Sequence, residues 1–296
     1  MYKTLAALTS RLGAPHTRRL AATSIRLAGV VNRLPPPPQL RRSVMGLSFP
    51  APLGLAAGFD KHGELYSALP GLGFGFAEIG TVTPLPETGR SRGLAMVIAN
   101  LARHPAPRSI PLGVSIGMNR ATQRERMADD YLACLAQVWN HADYIALNLG
   151  VRAGPDLHQP EHRAVLRSVL AAVKEEQARL TAASDRRLPI AVKVDQTRGN
   201  TDALLGCVRA FAFDGLILSG DALDGGGGRV LATLEQVSGA LHGVMPVISV
   251  GGIRTPQHVQ DRLNAGAALL QVYSGLVESG PLLVRRINRG LMPDQA

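Results

Sequence analysis

Between residues 53 and 273 the chain repeats one pattern eight times: a short apolar run, a few small or polar residues, then a longer stretch. The runs are Leu53–Gly58, Ala77–Val82, Leu112–Ile116, Tyr144–Leu149, Ile190–Val194, Leu216–Ser219, Val247–Val250 and Leu270–Tyr273. They are apolar at nearly every position and too short for helices, so they read as parallel strands covered on both faces. Helical periodicity fills Met127–Trp139, Ala164–Leu180, Thr201–Phe211 and Pro256–Asn264. Eight such units predict an α/β fold, a (β/α)8 TIM barrel with a small N-terminal helical extension. An open doubly wound sheet is the alternative, but no GxGxxG opens a helix after the first strand, as a dinucleotide fold requires.

The extension is expected over residues 1–45 and the barrel over 46–296. Residues 1–45 carry Lys3, Arg11, Arg18, Arg19, Arg26, Arg33, Arg41 and Arg42 and no acidic residue, a dense share of the net charge of +10. MYKTLAALTSRL and HTRRLAATSIRLAGVVNRL both read as basic amphipathic helices, with Leu20, Ile25, Leu27 and Val30 as the apolar face of the second. Pro35–Pro38 end it as a stiff spacer. Such a pair suits a membrane surface through residues 1–34; a targeting segment or plain packing on the barrel is the alternative. No apolar run approaches the roughly 20 residues needed to span a bilayer. Aromatics make up 4% and nowhere interleave with basic residues, so nucleic acid is not an expected partner. Cys134 and Cys207 lack metal-ligand spacing and read as reduced packing residues, with no metal implied. A cytoplasmic monomer, peripheral to the inner membrane, is expected.

In a barrel of this kind the site is sought where strands end. Polar and small residues gather there: Ala57, Gly58, Asp60 and Lys61 after the first run, Gly80 and Thr81, Ser115 and Asn119, Asn148, Lys193, Ser219 and Asp221, Gly251 and Gly252, Ser274 and Gly275. Of 32 basic residues only Lys3, Lys61, Lys174 and Lys193 are lysines, and Lys61 and Lys193 both close strand-like runs. In so arginine-rich a chain that placement points to a need for a compact ammonium. Bare backbone at the glycine pair and the Ser-Gly after the last two runs suits a phosphate, so a phosphorylated cofactor is expected at this mouth.

GLSFPAPLGLAAGFDKHGE, FAEIGTVTP, PIAVKV, SVGGI and LLQVYSG resemble the membrane-associated, quinone-using dihydroorotate dehydrogenases, in order along nearly the whole chain. The resemblance implies an FMN-containing (β/α)8 barrel that oxidises dihydroorotate, or another anionic dihydro compound, by hydride transfer to flavin N5. A quinone entering between the N-terminal helices would then take the electrons. It further implies Ala57, Gly58 and Lys61 along the flavin ring, with Thr81 and Ser115 nearby. Asn148 would touch flavin and substrate, and Lys193 would lie at the N1–C2 edge. Gly252, Tyr273 and Ser274 would hold the phosphate, with Ser219, Gly227 and Gly251 completing the cofactor set; Lys61 and Asn148 would meet the substrate, and Arg152, a cation particular to this chain, adds a docking point for an anionic one.

The chain departs from the family's pattern on the substrate side. The family's Asn-φ-Ser-Ser-Pro-Asn loop, whose second serine is the general base, corresponds to Asn148-Leu149-Gly150-Val151-Arg152-Ala153. Val151 thus stands at the base position and Ala153 at a substrate-binding Asn. Ser115 stands where the family has Asn, Ser219-Gly220-Asp221 where it has Thr-Asn-Thr, and the Asn-Arg-Met-Gly-Phe-Asn loop is missing between Thr83 and Pro111. Valine cannot accept a proton, so Asp156, His158 and Asp221 become candidate replacement bases. Three functions stay open: an FMN oxidoreductase with a changed donor, a noncatalytic, membrane-associated flavin-binding regulator, or ordinary dihydroorotate dehydrogenation by an unusual loop.

Overall fold

A computed structural model describes residues 14–31, 35–150, 159–196, 201–220 and 227–292. Helix α1 (Ala14–Val31) and a hairpin, β1 (Arg42–Val44) with β2 (Leu47–Phe49), precede the barrel. The barrel strands are β3 (Leu53–Leu55), β4 (Phe76–Val82), β5 (Leu112–Ile116), β6 (Tyr144–Asn148), β7 (Ile190–Asp195), β8 (Gly215–Ser219), β9 (Val247–Val250) and β10 (Ala267–Val272). They close in chain order, β10 pairing parallel with β3, so the open doubly wound sheet is excluded. Around them lie α2 (Leu94–Leu101), α3 (Met127–Val138), α4 (Arg163–Ser184), α5 (Thr201–Ala210), α6 (Gly227–Ala240), α7 (Pro256–Asn264), α8 (Ser274–Ser279) and α9 (Leu283–Gly290). The start of α7 shows local sequence at work: Pro256 takes the first turn, and the Thr255 hydroxyl accepts from His258 N at 3.2 Å.

Two apolar layers result from the alternation along each strand. Residues such as Ile79, Val114, Leu147, Val192 and Leu218 pack outward against the helices. Their neighbours Phe76, Tyr144, Ala146, Ala191, Ile217, Ile248 and Leu269 fill the barrel. Large and small side chains share that interior. Gly113 leaves the space Tyr144 occupies, since a Cβ there would lie 2.1 Å from the ring. Gly113→Ala is therefore expected to destabilise the fold by about 1–3 kcal/mol, read as a lower midpoint in urea unfolding.

The hairpin β1–β2 closes the N-terminal end of the barrel, with Phe49 edge-on to Phe76 at 5.3 Å. Its two-residue turn, Met45-Gly46, has positive φ at both positions, 52° and 76°, as the twist of a tight hairpin demands. Methionine is an unusual choice there. Its sulfur explains it, lying 2.8 Å from where a Cβ on Gly215 would stand. The hairpin spans residue 45, where the extension was expected to end.

Helix α1 packs on the turns Tyr66–Ala68 and Pro70–Leu72 and on α8, burying Ala21 and Ile25. The expected apolar face is corrected here. Ile25 is buried while Leu27 is 67% exposed, because residues two apart point to different sides of a helix. The first expected helix lies outside the described residues. Among the described residues no helix is long and apolar enough to cross a membrane. Cys134 and Cys207 are both buried, and burial pushes the Cys134 thiol well up.

Candidate functional site

The C-terminal strand ends meet at one mouth, and hydrogen bonds tie several of them together. Asn148 Nδ2 at the end of β6 donates to Thr81 Oγ1 of β4 at 2.8 Å, and Thr81 Oγ1 lies 3.2 Å from Ser115 Oγ of β5. Thr81 reaches this cluster because the β4–β5 register shifts between Gly80 and Val82, breaking strict alternation. The phenol of Tyr131 donates to the Asn148 carbonyl at 2.9 Å, and Gly150 N donates to Asn148 Oδ1 at 3.1 Å. The amide is thus held on both ends. Lys193 on β7 is in register beside Asn148.

Across the mouth, Gly58 N donates to the Gly80 carbonyl at 2.7 Å. Gly58 has φ 93° and lies against Tyr273, whose ring meets Phe59 edge-on at 5.6 Å. This left-handed turn ends β3 at Leu55, three residues earlier than its apolar run suggested. Ser219 Oγ at the end of β8 donates to the Val194 carbonyl at 2.9 Å. Gly251 and Gly252 follow β9 with positive φ, and the Arg262 guanidinium donates to the Gly251 carbonyl at 2.9 Å. Ser274 opens α8 and Gly227 opens α6.

The turn after β3 is organised by Asp60. It is almost fully buried and accepts from Leu65 N at 2.8 Å and Glu64 N at 2.9 Å. Burial raises its carboxyl above the ordinary range, against the pull of those amides. Lys61 Nζ donates to the Gly89 carbonyl at 3.0 Å, at the edge of a cleft of about 620 Å³ lined by His62, Glu87, Arg90 and Arg92. Burial, then the Arg92 charge, keeps His62 below its ordinary value. Asn119 pins the segment over this cleft, its amide exchanging two bonds with the Leu85 backbone at 3.0 and 2.9 Å. Asn100 is buried in α2, donating to the His62 carbonyl at 2.8 Å.

Of the residues read from the sequence, Thr81, Ser115 and Asn148 are joined directly, with Lys193 adjacent, and Gly58 is tied to β4 through the Gly80 carbonyl. Val151, Arg152, Ala153, Asp156, His158 and Asp221 lie outside the described residues. Three residues were not singled out: Glu78, Tyr144 and Gln271. Glu78 Oε1 is 3.3 Å from Lys193 Nζ, and Oε2 accepts from Gln271 Nε2 at 2.7 Å and Tyr144 OH at 3.2 Å. The signal was a lone carboxylate inside the apolar strand FAEIGTV, since a charge buried there requires a partner.

The dihydroorotate dehydrogenase family model matches residues 39–93 and 210–293. The segments carrying Ala57 to Thr81 and Ser219 to Ser274 fall within it, while Ser115, Asn148, Lys193 and the loop at 151–158 fall between the matched parts. The chain is 35% identical to dihydroorotate dehydrogenase (quinone) of Methylobacillus flagellatus, covering 89% of this chain and 90% of that one. It is 38% identical to dihydroorotate dehydrogenase (quinone) of Azotobacter vinelandii, covering 84% and 83%. The structure of DHODH from Eimeria tenella in complex with ferulenol superposes with a TM-score of 0.79 at 25% identity, covering 92% of this chain and 90% of that one. With the closed barrel and its polar mouth, these likenesses establish that the chain belongs to the class 2 dihydroorotate dehydrogenase family.

Proposed function

We propose that the chain holds FMN at the C-terminal mouth of the barrel and oxidises a small anionic CH–CH donor other than dihydroorotate, with a quinone as electron acceptor. The observation that carries this is the Thr81–Ser115–Asn148 cluster beside Lys193. It sets hydroxyl, amide and ammonium groups on one rim, while Gly251 and Gly252 bring bare backbone to another. That donor set fits a flat, polar ring carrying a phosphate. When bound, FMN supplies the two-electron acceptor, taking a hydride at N5.

The chain's own residues do the rest. Lys193 supplies a cation for the negative charge that reduction adds. Asn148, fixed by Tyr131 and Gly150, holds an amide toward ring and substrate. Lys61 and Arg152 provide charge for an anionic donor. The donor is read as different from dihydroorotate because Val151 and Ala153 replace the groups that would deprotonate and bind it. Asp156, His158 and Asp221 are the remaining candidates for the base. Releasing the cofactor by denaturation tests the core of this reading. One FMN per chain is expected; flavin-free protein that takes up no added FMN would refute it.

The acceptor reading draws on a cleft of about 570 Å³ beneath α1, lined by Arg26, Gly29, Pro35, Ala68 and Pro70. Membrane contact draws on the outer side of α1, where Leu27 and Val31 are exposed beside Arg26. Arg26 also pairs with Glu64 at 3.2 Å, an exposed bridge worth at most about 1 kcal/mol. Leu27→Glu is expected to lower partition onto anionic vesicles about tenfold, since burying a leucine contributes roughly 1.5–3 kcal/mol. Co-sedimentation reads this directly, and unchanged partition would remove α1 from the membrane contact.

A further inference from the structure

Beneath the mouth lies a carboxylate with no exposed surface. Glu78 of β4 is bound from three other strands at once: Lys193 of β7, Gln271 of β10 and Tyr144 of β6. The rest of the interior is apolar, formed by Phe76, Ala146, Ala191, Ile217 and Ile248. A charge survives in such a place only when paired and hydrogen-bonded. Burial, and then the charge of Glu78, holds the Tyr144 phenol well above its ordinary value, so it stays a donor. The ion pair of the cluster is Glu78 with Lys193, whose side chain is 13% exposed against 0% for Glu78, at the floor of the mouth.

We propose that Glu78 is a positioning residue of the flavin site, which fixes the Lys193 ammonium and offsets part of its charge, thereby setting the two-electron potential of the bound flavin. The inference rests on the reading of the mouth as an FMN site. Two electrons and one proton entering the flavin leave one added negative charge. Lys193 favours that change and Glu78 opposes it, in an interior where charges are weakly screened. Removing the charge of Glu78 while keeping its shape unmasks the ammonium.

Glu78→Gln is expected to favour reduced over oxidised flavin about tenfold, a rise in potential of about 30 mV for a two-electron couple. Sulfite addition at N5 leaves the same negative charge on the ring, so its dissociation constant is expected to fall about tenfold in parallel. Glu78→Met, which removes the charge but also leaves Gln271 and Tyr144 without their acceptor, is expected to shift both quantities in the same direction and serves if the amide folds poorly. In a Lys193→Met background Glu78→Gln is expected to change neither quantity by more than about twofold, because an isolated buried carboxylate does not stay charged. Wild-type potential and sulfite affinity in flavin-loaded Glu78→Gln and Glu78→Met would overturn the proposal. So would an equal shift in the Lys193→Met background, which would mean that Glu78 acts without Lys193. Absence of flavin from the wild-type protein would instead bring down the FMN reading, and this inference with it.

Discussion

Lys193→Ala is expected to weaken FMN retention at least about tenfold and to slow flavin reduction by any donor on the order of 10²-fold, the scale of losing one preorganised electrostatic group. Two effects combine. The reduced cofactor loses its cation, and Glu78 loses the ammonium 3.3 Å away while remaining fully buried. Breaking a buried pair by removing one partner costs about 3–5 kcal/mol, so the variant should also unfold at lower urea. The two effects separate in the double variant Lys193→Ala with Glu78→Gln. Stability should largely return, because no buried carboxylate is left that must be neutralised at a cost in folding free energy, while slow reduction should persist. Full flavin content with wild-type reduction rates in Lys193→Ala would refute the role given to this lysine.

The second large effect concerns the loop after β6. Val151→Ser combined with Ala153→Asn is expected to raise the rate of flavin reduction by dihydroorotate by about 10²-fold, the lower end of what a positioned base contributes. The loop leaves from a fixed point: the Asn148 carbonyl is held by Tyr131, and Asn148 Oδ1 by Gly150. Each restored hydrogen bond to a buried polar substrate is worth roughly 1–3 kcal/mol, so the asparagine should act mainly on affinity and the serine on rate. Rapid-mixing reduction at several dihydroorotate concentrations separates them. No gain in either quantity would show that Val151 does not occupy the base position.

Much of the architecture was legible in the chain because a parallel barrel strand is buried on both faces and writes that burial as an apolar run. The run Leu112–Ile116 coincides with β5, and Val247–Val250 with β9. Ends were blurred where backbone conformation decided them: Gly58 turns the chain out of β3 although its neighbours are apolar. The hairpin β1–β2 was missed because Met45 is not a turn former; its place follows from a contact with Gly215, 170 residues away in sequence. The rim residues were legible as polar groups at strand ends. The Glu78 cluster was not, because its sense comes from Tyr144, Lys193 and Gln271 on three other strands. Only closure of the barrel brings those strands to one axis.

The most direct test is the visible spectrum of the purified wild-type protein, held anaerobic, before and after adding dihydroorotate. A flavin band that persists with dihydroorotate yet bleaches with dithionite is the expected result, that of an FMN barrel whose donor has changed. Bleaching by dihydroorotate at a catalytically useful rate would contradict it, and would require a base other than the residue at 151.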